Sequence, residues 1–371
     1  MPGCYIGLMS GTSMDAVDAV LAETRGDDFI VRAARSVALP EPVALALRRL
    51  ATPGGAFTAE GDALDELGRL DREVAELFAG AAIGLLAAAG VDAGEVRAIG
   101  SHGQTLRHRP RAARPFTLQV GDPNVIAAAT GIAVVADFRR RDVALGGQGA
   151  PLVPAFHAAV FAAPLEYRAV LNLGGIANLT LLPPGGPVTG FDTGPGNTLM
   201  DAWARRHLGR PYDAGGAWAA SGRTDTPLLQ QLLAHPYLAL APPKSTGPEE
   251  FSLAWLEGVL SRVGALEPAA VQATLCEFTA RTVVTALGDH PPARLVACGG
   301  GAHNRALLDC IAALLPGTRV ETSSAHDIDP DYVEATAFAW LAARTLAGLP
   351  GNLPAVTGAR REAVLGAVWP A

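Results

Sequence analysis

The sequence predicts an α/β protein built from two domains. Its 371 residues exceed the usual size of one domain, which is ~100–200 residues. Short apolar stretches with the character of strands alternate along the chain with longer segments of helical period, as in α/β proteins. The stretch near residue 5 and the stretch near residue 170 share one pattern, in which two strands flank a tip of small residues. This internal echo predicts two related domains, each opening with a hairpin.

The composition limits the classes of partner and the kinds of site. The chain is 49% hydrophobic with a net charge of −7, so it can form sizeable cores and is not a disordered chain. It contains no basic run or basic–aromatic pattern, and nucleic acid is therefore not expected as a partner. The cysteines at 4, 276, 298 and 310 lack CxxC spacing, which argues against a zinc site or a disulfide scaffold.

The cysteines and the apolar runs also indicate where the protein works. Cys276 and Cys310 lie in apolar patterns of helical period, which predicts buried free thiols and a reducing, cytoplasmic setting. The N-terminus shows no signal-like segment. The longest apolar run, 77–91, has 15 residues, whereas a membrane span needs ~20. We therefore expect a core helix there and no membrane partner.

The first half of the chain is predicted as five strands and two helices. The strands are 4–9, 16–21, 96–100, 118–120 and 132–136. A long helix over 62–89 ends at Gly90, a residue type that often ends helices. A short helix, which ends near Gly131, follows Asp122 as its cap and has Pro123 as its first residue.

Three segments of the first half are candidate ligand contacts. The tip of the first hairpin is hydroxyl-rich and precedes Asp15 and Asp18, so its donors could hold phosphate oxygens; an ordinary hairpin loop is the alternative. Residues 101–105 and 137–142 each follow a strand directly, where α/β sheets bind ligands. His102 could be a base, a ligand hydrogen-bonding group or a structural histidine. The charges of 137–142 could equally belong to a solvated loop.

The second half opens with a helix or bridging segment, 154–163, and a hairpin over 170–182. A Gly-rich corner, 193–197, then follows Asp192. Small residues let a ligand approach the backbone, and amide N–H groups in such a corner can hold an anion. Asp192 is therefore a candidate base beside a phosphate, and a tight turn with a capping aspartate is the alternative.

The rest of the second half is predicted as helices, two strands and an irregular region. The helices are 197–208, 271–287, 305–315 and 330–346, the strands are 294–298 and 319–322, and the region 211–250 is an insertion or lid-like region with short helices. Asn197 and Asn304 are candidate helix caps, as are Asp329 and Asp331 for the last helix. Glu334 is either a capping-box residue or a functional one.

The motifs disfavour two common nucleotide-binding folds and point to one family. The chain has no GxxxxGK[ST] motif and no GxGxxG motif after a strand, which disfavours a Walker-type NTPase and a Rossmann dehydrogenase. It has instead five motifs in a specific order: GLMSGTSMD at 7–15 with Asp18, GSHGQT at 100–105, NLGGIAN at 172–178, FDTGPGN at 191–197 and CGGGAHN at 298–304. Together these motifs resemble the anhydro-N-acetylmuramic acid kinase family nearly from end to end.

The resemblance implies a fold and a reaction. The fold is the two-domain actin/hexokinase/Hsp70-like ATPase fold, with a ligand cleft between the domains. We place the domains at 1–153 and 154–371 and leave open whether the C-terminal end packs back on the first. The reaction uses ATP and Mg²⁺ to phosphorylate 1,6-anhydro-N-acetylmuramic acid while water opens the anhydro bridge. The product is N-acetylmuramic acid 6-phosphate, in bacterial cell-wall recycling, and a homodimer is expected.

The resemblance also implies roles for individual residues. Asp192 matches the catalytic aspartate, which would take a proton from water. Mg²⁺ is expected at Asp15 and Asp18. The ATP contacts are expected at Gly11, Thr12, Ser13, Met14, Asp15, Ala16, Val17, Asp18, Asn172, Gly174, Gly175, Asn178, Gly194, Gly196, Asn197, Gly299, Gly300, Gly301 and Asn304. The sugar contacts are expected at Ser101, His102, Gly103, Gln104, Thr105, Asp137, Arg139, Gln148 and Glu334. An arginine suits the lactyl carboxylate through its bidentate fork.

The chain departs from the family pattern at one position. The family usually has glycine after the first motif's aspartate, whereas this chain has Ala16. A methyl group is tolerated there if φ is negative and costs about 1 kcal/mol or more if φ is positive. Two alternative functions stay open. They are a kinase of the same fold that acts on a free amino sugar, and a non-enzymatic ATP-binding protein of the actin or chaperone type.

Overall fold

The computed structural model describes residues 3–11, 13–25, 28–52, 62–242, 244–247 and 249–371. The strands within these residues are β1 (Gly3–Met9), β2 (Ala16–Arg25), β3 (Asp28–Ala38), β4 (Val96–Ser101), β5 (Gln104–Arg109), β6 (Phe116–Val120), β7 (Val134–Ala136), β8 (Arg168–Leu173), β9 (Ile176–Leu182), β10 (Thr189–Pro195), β11 (Arg294–Cys298), β12 (Arg319–Thr322) and β13 (Ala367–Trp369). The α-helices are α1 (Glu41–Ala51), α2 (Ala63–Ala89), α3 (Pro123–Thr130), α4 (Phe138–Ala144), α5 (Val153–Phe161), α6 (Thr198–Leu208), α7 (Ala217–Ser221), α8 (Thr226–Leu233), α9 (Leu253–Val263), α10 (Pro268–Leu287), α11 (Arg305–Leu314), α12 (Val333–Leu346) and α13 (Pro354–Thr357).

Contacts within the chain divide it into two compact units. Unit 1 comprises Met1–Val160 and Tyr332–Ala371, and unit 2 comprises Phe161–Asp331. The boundary expected from the sequence lies after residue 153. In the structure unit 1 continues to Val160, and the C-terminal segment that begins at Tyr332 also belongs to unit 1.

Unit 1 contains a six-stranded sheet in the order β13-β7-β4-β1-β2-β3. β1, β2 and β3 form an antiparallel meander, while β4 runs parallel to β1 and β7 parallel to β4. Leu70, Val74 and Phe78 of α2 pack on one face of the sheet, and α12 packs on the other. Gly7 and Gly100 permit the close approach of α12, because a Cβ atom on either would overlap a carbonyl oxygen of that helix.

Unit 2 repeats this plan with a five-stranded sheet in the order β10-β9-β8-β11-β12. β8, β9 and β10 form an antiparallel meander, β11 runs parallel to β8, and β12 parallel to β11. The helix α10 supplies Leu275, Phe278 and Val283 to the core. A meander followed by parallel strands therefore occurs in both units, as the internal echo predicts.

Most predicted helices and strands are confirmed, and three residues predicted to begin or end helices do so. α2 ends at Gly90, which has a φ of 64°. The Asp122 carboxylate caps α3, and the Asn304 side chain caps α11. α2, α7 and α8 lie where the sequence predicts helices. None of the helices in the described part of the chain is long and apolar enough to cross a membrane.

Three predictions about elements are wrong, each for a local reason. β3 is missing from the predicted strands because it alternates between exposed and half-buried residues and has no fully buried position, which weakens its apolar signal. Residues 137–142, for which the sequence suggests a ligand-contact segment or a solvated loop, lie largely in α4 (Phe138–Ala144), whose seven residues are too few to show a period. The last helix begins at Val333 after a 3₁₀ turn, and Tyr332 holds the cap position without a side-chain bond. Neither Asp329 nor Asp331 caps that helix.

Ala16 occupies the position where the family usually has glycine. It begins β2 and pairs with Ala38 in the sheet. The described non-glycine residues with a left-handed φ are Met14, Asp137 and Asp327. Ala16 therefore has an ordinary strand backbone, and its methyl group adds no strain.

Candidate active site

The tip of the first hairpin is held in shape by its own backbone and by an arginine. The Met14 N–H donates to the Gly11 carbonyl at 3.2 Å, and Met14 adopts a φ of 52°. Arg48 donates to the carbonyls of Ser13 and Met14 at 3.1 and 3.3 Å. The Ser13 hydroxyl donates to the Asp15 carboxylate at 2.6 Å. These bonds fix the loop that the sequence assigns to phosphate binding.

The remaining residues of that tip differ in what they can offer a ligand. Thr12 lies outside the described residues. The Val17 side chain is 1% exposed and belongs to the core, so only its backbone could meet a nucleotide. Asp18 is half-buried in β2, opposite Met9. Asp15 is exposed, so the two carboxylates expected at Mg²⁺ have different environments.

The segment 101–105 lies beside the first hairpin tip. The Gln104 amide donates to the Gly11 carbonyl at 3.2 Å. Among the described residues, Gln104 Oε1 and Ser101 Oγ are buried without a hydrogen-bond partner. Thr105 Oγ1 accepts a bond from Gln119 at 3.1 Å, and Gly103 has a φ of 71°. Buried polar atoms are normally paired, so Ser101 and Gln104 are suited to a polar ligand.

His102 contacts other protein groups through both ring nitrogens. Its Nδ1 lies 2.8 Å from the Gly103 carbonyl, and its Nε2 accepts from Arg139 Nε at 2.9 Å. The ring is 5% exposed and contacts the Phe338 ring, with centroids 4.7 Å apart. Burial and the nearby Arg139 charge keep the pKa of His102 well below its usual value. His102 is thus a neutral, enclosed side chain.

Arg139 lies near several carboxylates but pairs directly with none of those described. Burial lowers the pKa of Arg139 to about 10, and the charges of Glu334 and Asp142 act against that shift. Burial raises the pKa of Glu334, Arg139 opposes the rise, and Asp18 adds to it. The capping-box interpretation of Glu334 is therefore wrong, because α12 starts at Val333 and the Glu334 carboxylate responds to Arg139 and Asp18 instead.

Asp137 and Gln148 are the remaining two residues predicted to contact the sugar. Asp137 has a left-handed φ of 60° and contacts Arg140 at 3.6 Å. Burial raises the pKa of Asp137, and Arg140 moderates the rise. The Gln148 backbone N–H donates to the Thr357 carbonyl at 2.7 Å, which ties its loop to the C-terminal segment.

His108 is a polar residue of the same region that the sequence analysis does not include. It lies on β5 and shares a 3.1 Å hydrogen bond with Thr117 Oγ1. Burial lowers its pKa to about 4, with Arg139 and Arg109 contributing and a backbone bond to Gln148 opposing. Its position in a short strand of mixed polarity gave no signal, because only the fold brings β5 next to Arg139 and Gln148.

In unit 2, Asp192 lies on the edge strand β10, and residues 237–242 and 244–246 provide groups that contact that edge. The Asp192 N–H donates to the Lys244 carbonyl at 3.1 Å, and the Tyr237 hydroxyl donates to the Asp192 carbonyl at 2.8 Å. The Thr246 N–H donates to the Asp192 carboxylate at 3.0 Å. The Lys244 ammonium lies 4.9 Å from the centre of the Tyr237 ring. Three hydrogen bonds from one region thus fix both the backbone and the carboxylate of Asp192.

Two opposing effects set the proton affinity of Asp192. Burial raises its pKa to about 6, and the hydrogen bond from the Thr246 N–H lowers it. The side chain is only half-buried, so it is not sealed inside the core. A carboxylate with this pKa is mostly ionised at pH 7 yet far more basic than an ordinary aspartate, as a general base requires.

The glycine-rich corner after Asp192 packs on the tip of the second hairpin. The Gly196 N–H donates to the Gly175 carbonyl at 2.9 Å, and the Asn197 N–H to the Gly174 carbonyl at 2.8 Å. A Cβ atom on Gly196 would overlap the Gly174 carbonyl oxygen. Asn197 occupies the N-cap position of α6, as predicted, but its side chain makes no capping bond there; its amide donates instead to the Leu173 carbonyl at 3.0 Å.

The turn after β11 lies against the same hairpin. A Cβ atom on Gly299 would overlap Asn172 Oδ1, and one on Gly301 would lie 2.6 Å from Leu173 Cβ. Gly300 has no heavy atom within 4 Å of an added Cβ and is exposed. The structure therefore brings together the second hairpin, the corner and this turn as one glycine-rich surface of unit 2.

The other residues of unit 2 that are predicted to contact the nucleotide are Asn304, Asn178 and Gly194. Asn304 is 9% exposed, and its Oδ1 accepts from the Leu307 N–H at 3.1 Å as the helix cap. Asn178 pairs with Asp192 across the sheet. Gly194 has a φ of 151° and lies next to the register shift that follows Asp192.

Comparison with known proteins identifies the family. The sequence profile of the anhydro-N-acetylmuramic acid kinase family matches residues 3–371. The anhydro-N-acetylmuramic acid kinase of Shewanella halifaxensis is 55% identical over 369 residues, which cover 99% of this chain and 98% of that protein. The enzyme of the same name from Xanthomonas campestris pv. campestris is 56% identical over 369 residues, covering 99% and 97%.

Solved structures of other proteins resemble the chain more distantly. Component A of the (R)-2-hydroxyglutaryl-CoA dehydratase of Acidaminococcus fermentans covers 91% of this chain and 96% of its own, with a TM-score of 0.47 and 12% identity. A ROK-family glucokinase from Streptomyces griseus covers 91% and 99%, with a TM-score of 0.39 and 14% identity. Neither similarity bears on what this chain binds.

The predicted family, activity and fold class are confirmed. The profile match and the curated relatives extend over nearly the whole chain, and each unit has the meander followed by parallel strands. The chain belongs to the anhydro-N-acetylmuramic acid kinase family, and it is an ATP-using sugar kinase of cell-wall recycling with an α/β fold.

Proposed function

We propose that Asp192 is the general base of this kinase reaction. It takes a proton from a water molecule, and the water oxygen forms a bond to the anomeric carbon of 1,6-anhydro-N-acetylmuramic acid. The bond between that carbon and the bridging oxygen breaks. The freed O6 attacks the γ-phosphorus of ATP, and the bond to the β-phosphate oxygen breaks to release ADP. The observation that supports Asp192 is its carboxylate, half-buried and fixed by the Thr246 N–H with a pKa of about 6.

One carboxylate suffices for this sequence of bond changes. The leaving oxygen of the sugar is itself the phosphoryl acceptor, so a second residue need not protonate it. Phosphoryl transfer depends chiefly on positioning and on stabilising charge. The protein therefore has to hold the sugar, the water and the triphosphate in line, which is a task for the hairpin tips and the glycine-rich surface.

We propose that the first hairpin tip and the second hairpin hold the phosphates of ATP. Backbone N–H groups in turns of small residues bind phosphate oxygens, and bonds with Arg48 and Gln104 keep the first tip in shape. The turn at 299–301 offers bare backbone for the adenosine. Exposed Gly300 supports this because no neighbouring atom fills the space beside it.

We propose that Asp15 and Asp18 hold Mg²⁺. Carboxylate oxygens are hard donors of the kind Mg²⁺ prefers, and Mg²⁺ usually binds one or two carboxylates together with substrate phosphates. The donor set of this tip therefore fits the ion. When bound, Mg²⁺ would neutralise charge on the phosphate oxygens during transfer.

We propose that unit 1 binds the sugar through Ser101, Gly103, Gln104, Thr105, Asp137, Arg139, Gln148 and Glu334, with His102 bonded to Arg139 rather than to the sugar. The unpartnered Ser101 Oγ and Gln104 Oε1 are suited to the sugar's polar groups. The buried Arg139 cation lacks an ion-pair partner among the described residues and suits the lactyl carboxylate. His108 joins this set as a half-buried neighbour.

From the resemblance we also propose a homodimer that works in the cytoplasm. All four cysteines are free thiols, as in proteins of reducing compartments. The elution mass of the purified protein, measured by light scattering, tests the dimer.

The experiment that tests the proposed function measures ADP release from ATP and Mg²⁺ with 1,6-anhydro-N-acetylmuramic acid, with N-acetylmuramic acid, and with no sugar. We expect turnover only with the anhydro sugar, and Asp192→Asn should lower kcat by ~10²–10⁴-fold. Asp201→Asn is the matched control, because burial also raises the pKa of Asp201 to about 6. Equal rates with and without sugar would indicate another class of protein. A Asp192→Asn variant with more than roughly a tenth of wild-type kcat would exclude this residue as the base.

A further inference from the structure

We infer that His102 is a positioning residue, which orients Arg139 toward the lactyl carboxylate of the sugar and so favours substrates that carry that group. The inference rests on the proposed function, because it needs Arg139 to meet the sugar. It changes the expected role of His102, which the sequence assigned to direct sugar contact.

The hydrogen bonds of His102 define its tautomer. Its Nδ1 lies 2.8 Å from the Gly103 carbonyl oxygen, and a carbonyl can only accept, so Nδ1 carries the proton. Nε2 is then an acceptor, and Arg139 Nε donates to it at 2.9 Å. Both nitrogens are therefore occupied, and the ring is 5% exposed. His102 has no free nitrogen with which to bind the sugar or take a proton from water.

Arg139 is fixed at two points of its guanidinium. Nε bonds to His102, and Nη1 donates to the Gly149 carbonyl at 2.7 Å. Two bonds from different nitrogens fix the plane of the group. Among the described residues Nη2 has no hydrogen-bond partner, and no carboxylate lies within ion-pairing distance. The open edge of a buried guanidinium is a site for a carboxylate, which supplies both the missing charge and the acceptors.

The Gly149 carbonyl is itself firmly anchored. Its N–H donates to Asp142 Oδ2 at 2.7 Å, and Gly149 has a φ of 66°. Asp142 is completely buried, and its Oδ1 accepts from Asn352 at 2.7 Å and from Thr357 at 2.8 Å. Of the two acceptors that hold Arg139, the Gly149 carbonyl is thus linked through Asp142 to the C-terminal segment, and the other acceptor is His102 Nε2.

The surrounding charges favour an anionic ligand at Arg139. Burial lowers the pKa of Arg139 only to about 10, so the guanidinium stays charged at neutral pH. Glu334, the carboxylate whose charge acts most strongly on Arg139, has a raised pKa because of burial and Asp18, which weakens its attraction for the cation. His102 stays neutral through the physiological range because its pKa is far below its usual value, so it keeps its acceptor nitrogen.

Two substitutions of His102 separate positioning from bulk structure. In His102→Gln the side-chain oxygen reaches the place of Nε2 and can accept from Arg139. In His102→Asn the side chain ends at the place of Nδ1, and the acceptor is lost. The substrates are 1,6-anhydro-N-acetylmuramic acid and 1,6-anhydro-N-acetylglucosamine, which lacks the lactyl group. The measurement is kcat and KM for both sugars at saturating ATP, with thermal unfolding of each variant to check folding.

We expect His102→Asn to lower kcat/KM for the lactyl sugar by about 10- to 100-fold, because a hydrogen bond to a charged group is stronger than one between neutral groups. The loss should fall mainly on KM. The lactyl-free sugar should change less than about threefold, and His102→Gln should restore most of the loss. If the role of His102 were merely structural, kcat/KM would fall for both sugars together, and the ratio of the two kcat/KM values would stay unchanged.

Each other outcome decides against the inference. An unchanged ratio of the two sugars in a folded His102→Asn variant overturns it, and so does a His102→Gln variant that loses the ratio as fully as His102→Asn. If His102→Asn does not fold, His102→Leu replaces it, because leucine fills the same space beside Phe338 without an acceptor. The ratio of kcat/KM for the two sugars in His102→Leu then tests the inference in the same way. Wild-type protein that turns over neither anhydro sugar would overturn the proposed function, and this inference with it.

Discussion

The raised pKa of Asp192 makes two measurable quantities depend on one carboxylate. Burial moves this pKa from an ordinary 3.8 to about 6, and the Thr246 N–H limits the rise. A general base works only when ionised, so activity should fall as the pH falls through about 6. The same shift should cost stability at neutral pH, because the folded state holds a charged group that it partly buries.

The size of both effects follows from the pKa. About nine-tenths of the carboxylate is ionised at pH 7 and about one-tenth at pH 5, so kcat/KM for the sugar should fall roughly tenfold between them. An aspartate with an ordinary pKa would stay ionised over that range, and the rate would hardly change. For stability, the folded state binds more protons than the unfolded state between pH ~4 and ~6, so the free energy of unfolding falls as the pH rises through that window.

Asp192→Asn removes this cost along with the base. A shift of about two units corresponds to at most ~3 kcal/mol, and the half-exposed setting reduces it to about 1–2 kcal/mol. The variant should therefore be inactive yet more stable than wild type at pH 8, with the difference gone near pH 4. The asparagine oxygen can still accept from the Thr246 N–H, so the backbone arrangement should survive.

The assay pairs rate with unfolding. One arm follows kcat/KM for 1,6-anhydro-N-acetylmuramic acid from pH 5 to 8 at saturating ATP and excess Mg²⁺, and the other follows urea unfolding of wild type and Asp192→Asn at pH 4 and pH 8. An acid limb centred below pH 5, or an Asp192→Asn variant less stable than wild type at pH 8, would show that the Asp192 carboxylate is not a base with a pKa near 6.

Three further predictions concern packing and backbone. Gly196→Ala should lower the free energy of urea unfolding by several kcal/mol and weaken ATP binding measured by calorimetry, because its Cβ would overlap the Gly174 carbonyl. Gly300→Ala, which has open space around its added Cβ, should stay within about 0.5 kcal/mol of the wild-type stability. An equal loss of stability in the two variants would contradict this prediction. Asp142→Ala leaves several buried donors without an acceptor and should lower the free energy of unfolding by more than about 3 kcal/mol, so a smaller loss would exclude its anchoring role. Ala16→Gly should lower the unfolding free energy by about 0.5–1 kcal/mol, and a gain in thermal stability would show that the hairpin needs glycine there.

Local chemistry made much of the fold predictable. Gly90 and Asn304 end and begin helices through backbone freedom and side-chain capping, which depend on neighbours in sequence. The apolar strands β1, β8 and β11 are recognisable because they are buried on both faces. β3 and α4 lack such a signal, one because it is an edge strand and the other because it is short.

The surroundings of the site residues could not be predicted in the same way. Asp192 could be selected from its Gly-rich corner, but its partners Tyr237 and Thr246 come from 45 and 54 residues away, in a region without periodicity. Glu334 looked like a local cap because Asp331 lies three residues before it. The fold instead sets it against the Arg139 charge, and no sequence spacing encodes that encounter.

A shifted pKa alone would not have identified the base. Asp201 on α6 also has a pKa of about 6 through burial, with Arg205 opposing the rise and Asp213 adding to it, so two aspartates of unit 2 meet that criterion. They differ in what their carboxylates face. Asp201 is close to the charges of Arg205 and Asp213, whereas Asp192 is held on a sheet edge by the Tyr237 hydroxyl and the Thr246 N–H and directly precedes the glycine-rich corner. Fixed geometry beside an anion-binding backbone, combined with a basic carboxylate, is what a water-activating residue needs, and of these two aspartates only Asp192 has both.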